Sequence, residues 1–131
     1  MTIEFYDALK ALEADLAARF GAAIPIDEES PPTDNVTMMV TLNNTDPDGR
    51  FLNSPARVMT GQFNIAISAP SYYDKYQMMH QSKPILSVYK RGFRLPVLDR
   101  NVVFLQVRES TPYPTDAHQK INVIIDFQIT K

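Results

Sequence analysis

Ile121-Asn122-Val123-Ile124-Ile125-Asp126-Phe127-Gln128-Ile129-Thr130 is the stretch whose reading decides the fold. Its hydrophobic period is that of a strand, and it predicts a final strand, from His118 to Thr130, buried in a sheet. Working back from it, the period changes in an informative order. A helical period opens the chain, strand periods follow, and a second mostly helical stretch precedes the closing strands. That order predicts an α+β fold, with an amphipathic N-terminal helix and a second helix packed on one face of a mostly antiparallel mixed sheet.

The helical opening spans 3–20. Phe5, Leu9, Leu12, Leu16 and Phe20 fall at spacings that share one helix face. Thr2 suits the N-cap and Gly21 the position just past the C-terminus. Ile24-Pro25-Ile26 reads as a short edge strand, because proline is confined to edges. Asp27 to Asn35 is an acidic loop with two prolines. Val36, Met38, Val40 and Leu42 alternate with Thr37, Met39 and Thr41, a strand with one apolar face. Asn43 to Pro55 reads as a long polar loop of the kind that is usually functional or mobile. Val58 to Ala69 is the next strand, with Phe63, Ile65 and Ile67 on one side. Gly61 marks a bulge or close packing there. Ser71 is the expected N-cap of the second helix. Pro84 is expected to kink or break it, with a new turn from Ile85 to Tyr89 ended by Gly92. Phe93 to Val97 and Asn101 to Val107 are the remaining strand candidates.

Composition narrows the function. The 131 residues suit one domain, 1–131. There is no cysteine, which removes disulfides, thiolate catalysis and Cys-based metal sites. Met1-Thr2-Ile3-Glu4 lacks a basic and then apolar leader, so no signal peptide is expected. No apolar run approaches the ~20 residues of a membrane helix, so no membrane partner is expected. His80 and His118, the only histidines, have no third ligand at a recognisable spacing. Asp46-Pro47-Asp48-Gly49 resembles the start of a calcium loop but lacks its closing glutamate. Phosphate loops, nucleophile elbows and zinc-protease motifs are absent, so neither a catalytic site, nor a metal, nor a cofactor is expected.

Charge is the stronger signal. Residues 1–50 carry three basic and ten acidic side chains, a balance of −7, while 51–131 carry ten basic and five acidic, a balance of +5. This split suits two solvated faces, or head-to-tail contact between copies. Arg91, Arg94 and Arg100 are the candidate basic residues of such a contact, against Asp27, Glu28 and Glu29. The same arginines could instead face nucleic acid phosphates. Phe51 and Leu52 are the only apolar anchors of the 43–55 loop and the expected hydrophobic contact with a neighbour. Tyr72 and Tyr73 cannot both point into one core, so one of them is expected at the surface or an interface.

The order of elements resembles the tail terminator (tail-completion, minor tail) proteins of long-tailed bacteriophages. The matching residues are Glu4 to Leu12, then Ile24-Pro25-Ile26, then Gly61 to Ile67 leading into Ser68-Ala69-Pro70, and finally Ile121 to Ile129. The likeness covers most of the chain and is architectural. Pro84 and the basic stretch from Lys83 to Arg100 find no place in that pattern. The resemblance implies a protomer that closes into a ring, usually a hexamer, on the end of the tail tube. It implies the tail tube protein and a head-completion or neck protein as partners, DNA passing through the lumen, and a place in the virion after assembly in the bacterial host cytoplasm. It implies no enzymatic activity and no cofactor. Another head–tail connector or neck protein is the nearest alternative. A small-molecule-binding or enzymatic α+β domain is the third.

The helix assignment is directly testable. Leu12→Asp and Leu16→Asp each place an unpaired charge on the buried stripe and are expected to unfold the domain. Thermal denaturation followed by circular dichroism reads this, and wild-type stability in both variants would contradict it.

Overall fold

The computed structural model describes residues 2–21, 36–46, 59–97, 100–115 and 118–130. In chain order the elements are α1 (Thr2–Phe20), β1 (Thr37–Asp46), β2 (Met59–Pro70), α2 (Lys75–Val88), β3 (Arg94–Val97), β4 (Arg100–Glu109), β5 (Tyr113–Pro114) and β6 (His118–Thr130). The strands form one sheet in the order β1-β2-β6-β4-β3, with β5 beside β6. Every described pairing is antiparallel. The fold is therefore α+β, as the period changes indicate.

β6 sits at the centre. Its odd-numbered residues from Ile121 to Ile129 are all buried, and its even-numbered residues are half-buried. On β2 the partners Gly61, Phe63, Ile65 and Ile67 lie opposite Phe127, Ile125, Val123 and Ile121, so the two strands offer one continuous apolar face. A one-residue slip would turn that entire set to the other side, which fixes the register. Both helices cover this face. α1 contributes Phe5, Ala8, Leu12 and Leu16, and α2 contributes Met78, Ser82 and Ile85. Nineteen residues make α1 about 28 Å long, enough to lie across a five-strand sheet of about 19 Å. It touches both outermost strands, β1 and β3.

Several details differ from the sequence expectation. The centre of the α1 stripe is Ala8, fully buried, whereas Leu9 is only half-buried. A methyl lets the helix axis approach the sheet more closely than a leucine would. Asn43 to Asp46 belong to β1 rather than to the 43–55 loop, with a register irregularity between Asn43 and Asp46. Ser71 is not the N-cap of α2. Tyr73 N–H donates to the Pro70 carbonyl at 3.1 Å, which makes a turn first. Asp74 then caps the helix: its carboxylate accepts from Gln77 N–H at 2.8 Å, and Asp74 N–H donates back to the Gln77 side chain at 2.8 Å. α2 also runs through Pro84 without a break. The proline deprives the His80 carbonyl of its usual donor, and because both residues are exposed, solvent can take its place. Gly21 N–H donates to the Ala17 carbonyl at 3.0 Å, closing α1. Gly92 lies past the end of α2 at a φ of 90°, in the left-handed region. The expected edge strand at Ile24-Pro25-Ile26, the acidic Asp27, Glu28 and Glu29, and the Phe51-Leu52 anchor lie outside the described residues.

Gly61 marks close packing rather than a bulge. A Cβ there would stand 2.6 Å from the tip of the Phe127 ring. That ring is stacked on Phe63, with centroids 4.2 Å apart, so it has nowhere to retreat. Gly61→Ala is expected to cost about 1–3 kcal/mol through overpacking. A lowered Tm in Gly61→Ala, partly restored by adding Phe127→Leu, checks this. An unchanged Tm would refute the contact.

Candidate assembly surface

α2 buries one side and leaves the other bare. Tyr76 is 72% exposed and Met79 43%, and neither packs in the core. Packing turns Met78, Ser82 and Ile85 inward, and helical spacing then leaves Tyr76, Met79 and Lys83 outward. Tyr72 precedes the helix in the turn and is 76% exposed, while Tyr73 is half-buried against the core. Of the two adjacent tyrosines, one is therefore at the surface, as their adjacency requires. Their rings are 5.4 Å apart.

The exposed side of α2 continues onto β4. Register shifts between Phe104 and Gln106, so Leu105 is an extra residue in the strand and its side chain turns out to solvent. Leu105, Val107, Leu86 and Tyr89 line a cleft of about 550 Å³ between α2 and β4, with Lys90 and Arg91 at its rim. A second hollow of about 300 Å³ runs on from Leu86 to Met79 and Tyr76, beside Lys83 and His80. The result is a mixed surface on which apolar side chains are bordered by Lys83, Lys90 and Arg91, with Glu109 among them. Sequence reasoning missed Leu105. The available signal was Val102-Val103-Phe104-Leu105, four apolar residues in a row that no alternating strand can place on one face.

The predicted basic residues do not form one cluster. Arg91 is exposed at the cleft, Arg94 is exposed on β3, and Arg100 is half-buried where β4 begins, opposite Val97. Tyr72 and Arg91 lie at opposite ends of α2, whose fourteen residues span about 21 Å. Among the described residues, no group of three or more His, Asp or Glu side chains could hold a metal ion.

Two polar tethers hold α2 in place. Ser82 Oγ donates to the Glu109 carboxylate at 2.6 Å, tying the helix to the end of β4. The Tyr89 hydroxyl donates to the Asp15 carboxylate, tying the end of α2 to α1. Asp15 is also paired with Arg19 at 2.9 Å, and the Arg19 guanidinium lies 5.8 Å from the centre of the Phe93 ring. Burial, the hydrogen bond to Asp15 and the charge of Asp15 push the Tyr89 hydroxyl well above its usual range, against a smaller opposing pull from Arg19.

The other face of the sheet carries a different chemistry. Gln62 donates to Asp126 at 2.9 Å and Arg108 pairs with Asp126 at 2.9 Å. The side-chain oxygens of Asn64 and Asn122 are buried there with no hydrogen-bond partner among the described residues. Both described helices lie on the opposite side.

No protein-family model matches this chain, and no curated protein is significantly similar to it. Several solved chains are similar in structure, among them one whose designation states no activity. Its alignment covers 100% of this chain and 97% of that one, with a TM-score of 0.67 and 15% sequence identity. Likeness at that identity concerns the fold alone.

The Tyr89 tether has a pH signature. Its folded pKa is raised, so the stability it supports is fully present below the unfolded tyrosine value of about 10 and is lost as pH rises above it. Unfolding free energy is expected to fall by up to about 1.4 kcal/mol per pH unit above pH ~10. Tyr89→Phe should flatten that dependence by one proton, and should cost about 0.5–1.5 kcal/mol at neutral pH through the lost hydrogen bond. Urea unfolding from pH 8 to 11 reads both, and identical slopes in the two proteins would refute the assignment.

Proposed function

We propose that this chain is a ring-forming tail terminator of a long-tailed bacteriophage, which caps the tail tube and offers the surface on which the head-completion protein docks. The observation that carries the reading is the exposed surface formed by α2, the turn before it and the bulge of β4. Tyr72, Tyr76, Met79 and Leu105 are exposed large apolar side chains. Lys83, Lys90 and Arg91 border the same surface. Tyr, Met and Arg are the residue types enriched where proteins meet. The element order supports the reading as well, since both helices pack on one face of a sheet closed by the last strand. Among the described residues no helix is long and apolar enough to cross a membrane.

Capping would follow from assembly alone. A head-to-tail ring brings two different patches of the protomer together at every interface, and closure leaves none unpaired. The −7/+5 division of charge lets opposite signs meet at each contact. Exposed ion pairs are each worth only ~0–1 kcal/mol, so burial of the tyrosine, methionine and leucine side chains must supply most of the affinity. In this reading Arg91 and Arg94 either meet an acidic neighbour such as Asp27, Glu28 or Glu29, or face DNA in the lumen.

Negative-stain images of the purified protein, alone and with tail tubes, test the reading. Closed rings seated at one end of tubes that no longer lengthen are expected. Tubes that grow unchecked in its presence would refute the terminator role, and rings bound to heads instead of tubes would favour another neck protein. Arg91→Glu with Arg94→Glu is expected to lower the oligomer mass seen by light scattering, with recovery on adding Glu28→Lys and Glu29→Lys. Intact rings in the doubly reversed variant would move those arginines from the interface to the lumen.

A further inference from the structure

Among the described residues the sheet has two open edges, and they are not equivalent. β3, the outer strand on one side, is four residues long and carries Pro96 and an exposed Arg94. Short length, proline and charge all discourage further pairing. β3 pairs only with Arg100 to Val103 of β4, and the Phe93–Gly92 backbone continues the contact as far as Phe104. Beyond that point, among the described residues, nothing pairs with Leu105 to Glu109 on the side away from β6. Ser110 N–H donates to the Asn122 carbonyl of β6 at 2.8 Å, so by alternation the N–H and C=O of Val107 and Glu109 point to the open side. This open half-strand forms one wall of the cleft lined by Leu86, Leu105 and Val107. At the other end of the sheet β1 runs for ten residues with no proline and no lysine. Among the described residues nothing pairs with it on the side away from β2.

We propose that the cleft between α2 and the open half of β4 receives the β1 edge of a second copy, so that copies join head to tail through one continuous sheet. This rests on the ring reading and names the contact that would close it. Three observations support it. First, the strand directions fit. β1 and β6 run one way and β2 and β4 the other, so a neighbour related by rotation, with its helices on the same side, presents β1 antiparallel to β4. The incoming strand lies in line with β3, past its end. Second, the side chains fit. Val40 and Leu42 of β1 are only half-buried within their own copy and would meet Leu105, Val107 and Leu86. Third, the charges fit. The incoming β1 brings its covering helix α1, where Asp7, Glu13 and Asp15 outnumber Lys10 and Arg19, alongside an α2 bordered by Lys83, Lys90 and Arg91. Strand addition into a groove between an edge strand and a helix is an established mode of recognition: the backbone supplies affinity and the groove selects side chains.

The chain has no cysteine, so introduced thiols report only on their own positions. Thr41 of β1 and Gln106 of β4 are both exposed and lie on the same face of the continued sheet. With a short bis-maleimide, mixing Thr41→Cys with Gln106→Cys is expected to give one linked dimer. The double variant should give a ladder of linked multimers. Self-linking of Thr41→Cys as strong as the mixed reaction would place β1 against β1 and overturn the proposal. Val107→Pro removes an amide that points to the open side and spares the ladder to β6. It is expected to abolish assembly while circular dichroism stays native. Leu105→Glu, at an exposed site, should raise the concentration of half-assembly about tenfold or more, and it serves if Val107→Pro does not fold. Rings that persist unchanged in a folded Val107→Pro, or in Leu105→Glu, would overturn this contact and leave the ring itself standing. A wild-type protein that stays monomeric at every concentration would overturn both.

Discussion

A chain of aromatic rings ties the two layers of this molecule together. It begins at Phe5 in the first turns of α1 and passes to Phe127 on β6, 6.3 Å away. Phe127 stacks on Phe63 of β2, which meets Phe104 of β4 at 6.4 Å. Phe104 lies 5.7 Å from Tyr89 at the end of α2, and Tyr89 lies 6.0 Å from Phe20 at the end of α1. The path thus leaves α1 at one end, crosses the three central strands, and returns to the same helix at the other. Each ring pair adds about 0.5–1.5 kcal/mol beyond the area it buries. The chain depends on Gly61, since any side chain there would displace the stacked pair at its centre.

That constraint decides what is left for the surface. With Tyr89 locked among Phe20, Phe93 and Phe104 and bonded to Asp15, the rotation of α2 about its axis is set from its far end. The Ser82–Glu109 bond sets it again near the middle. Tyr76, Met79, Lys83 and Leu86 are therefore presented by a helix that has little freedom to turn them inward. A rigid apolar surface loses less entropy on association than one that must first be ordered. The exposed face of α2 is a product of the core rather than an accident of the loops.

The sequence made the architecture legible because alternation and helical spacing are properties of buried faces. β6 spans His118 to Thr130 as its period indicates, and β2 and β3 fall within one residue of expectation. What the sequence hid is set by competition between neighbours. Ser71 and Asp74 are both good caps, and only the Tyr73–Pro70 turn decides between them. Pro84 is tolerated because its helix face is wet. Leu105 is exposed by a bulge, and bulges leave only the faint mark of a broken alternation. Of the predicted contact residues, Tyr72 and Arg91 border the exposed side of α2, Tyr73 is partly inside, and Arg94 and Arg100 lie along the β3–β4 hairpin. Charge tallies locate a hemisphere and not a patch, because they carry no direction.

The position of β6 has a consequence for how the molecule comes into being. The strand that follows all others in the chain is the one that pairs with β2 on one side and β4 on the other. Met59 must find Ile129, about seventy positions later. Until that happens β2 and β4 share no ladder, and the apolar faces of the β1–β2 hairpin and of both helices have no common partner. Closing such distant pairings is slow, since loop entropy is lost before any contact rewards it. During synthesis the ribosome would release every other element before the piece that unites them. The sheet is then completed late, and until it is, the apolar side of the nascent β1–β2 hairpin has only α1, which precedes it and touches β1, to cover it.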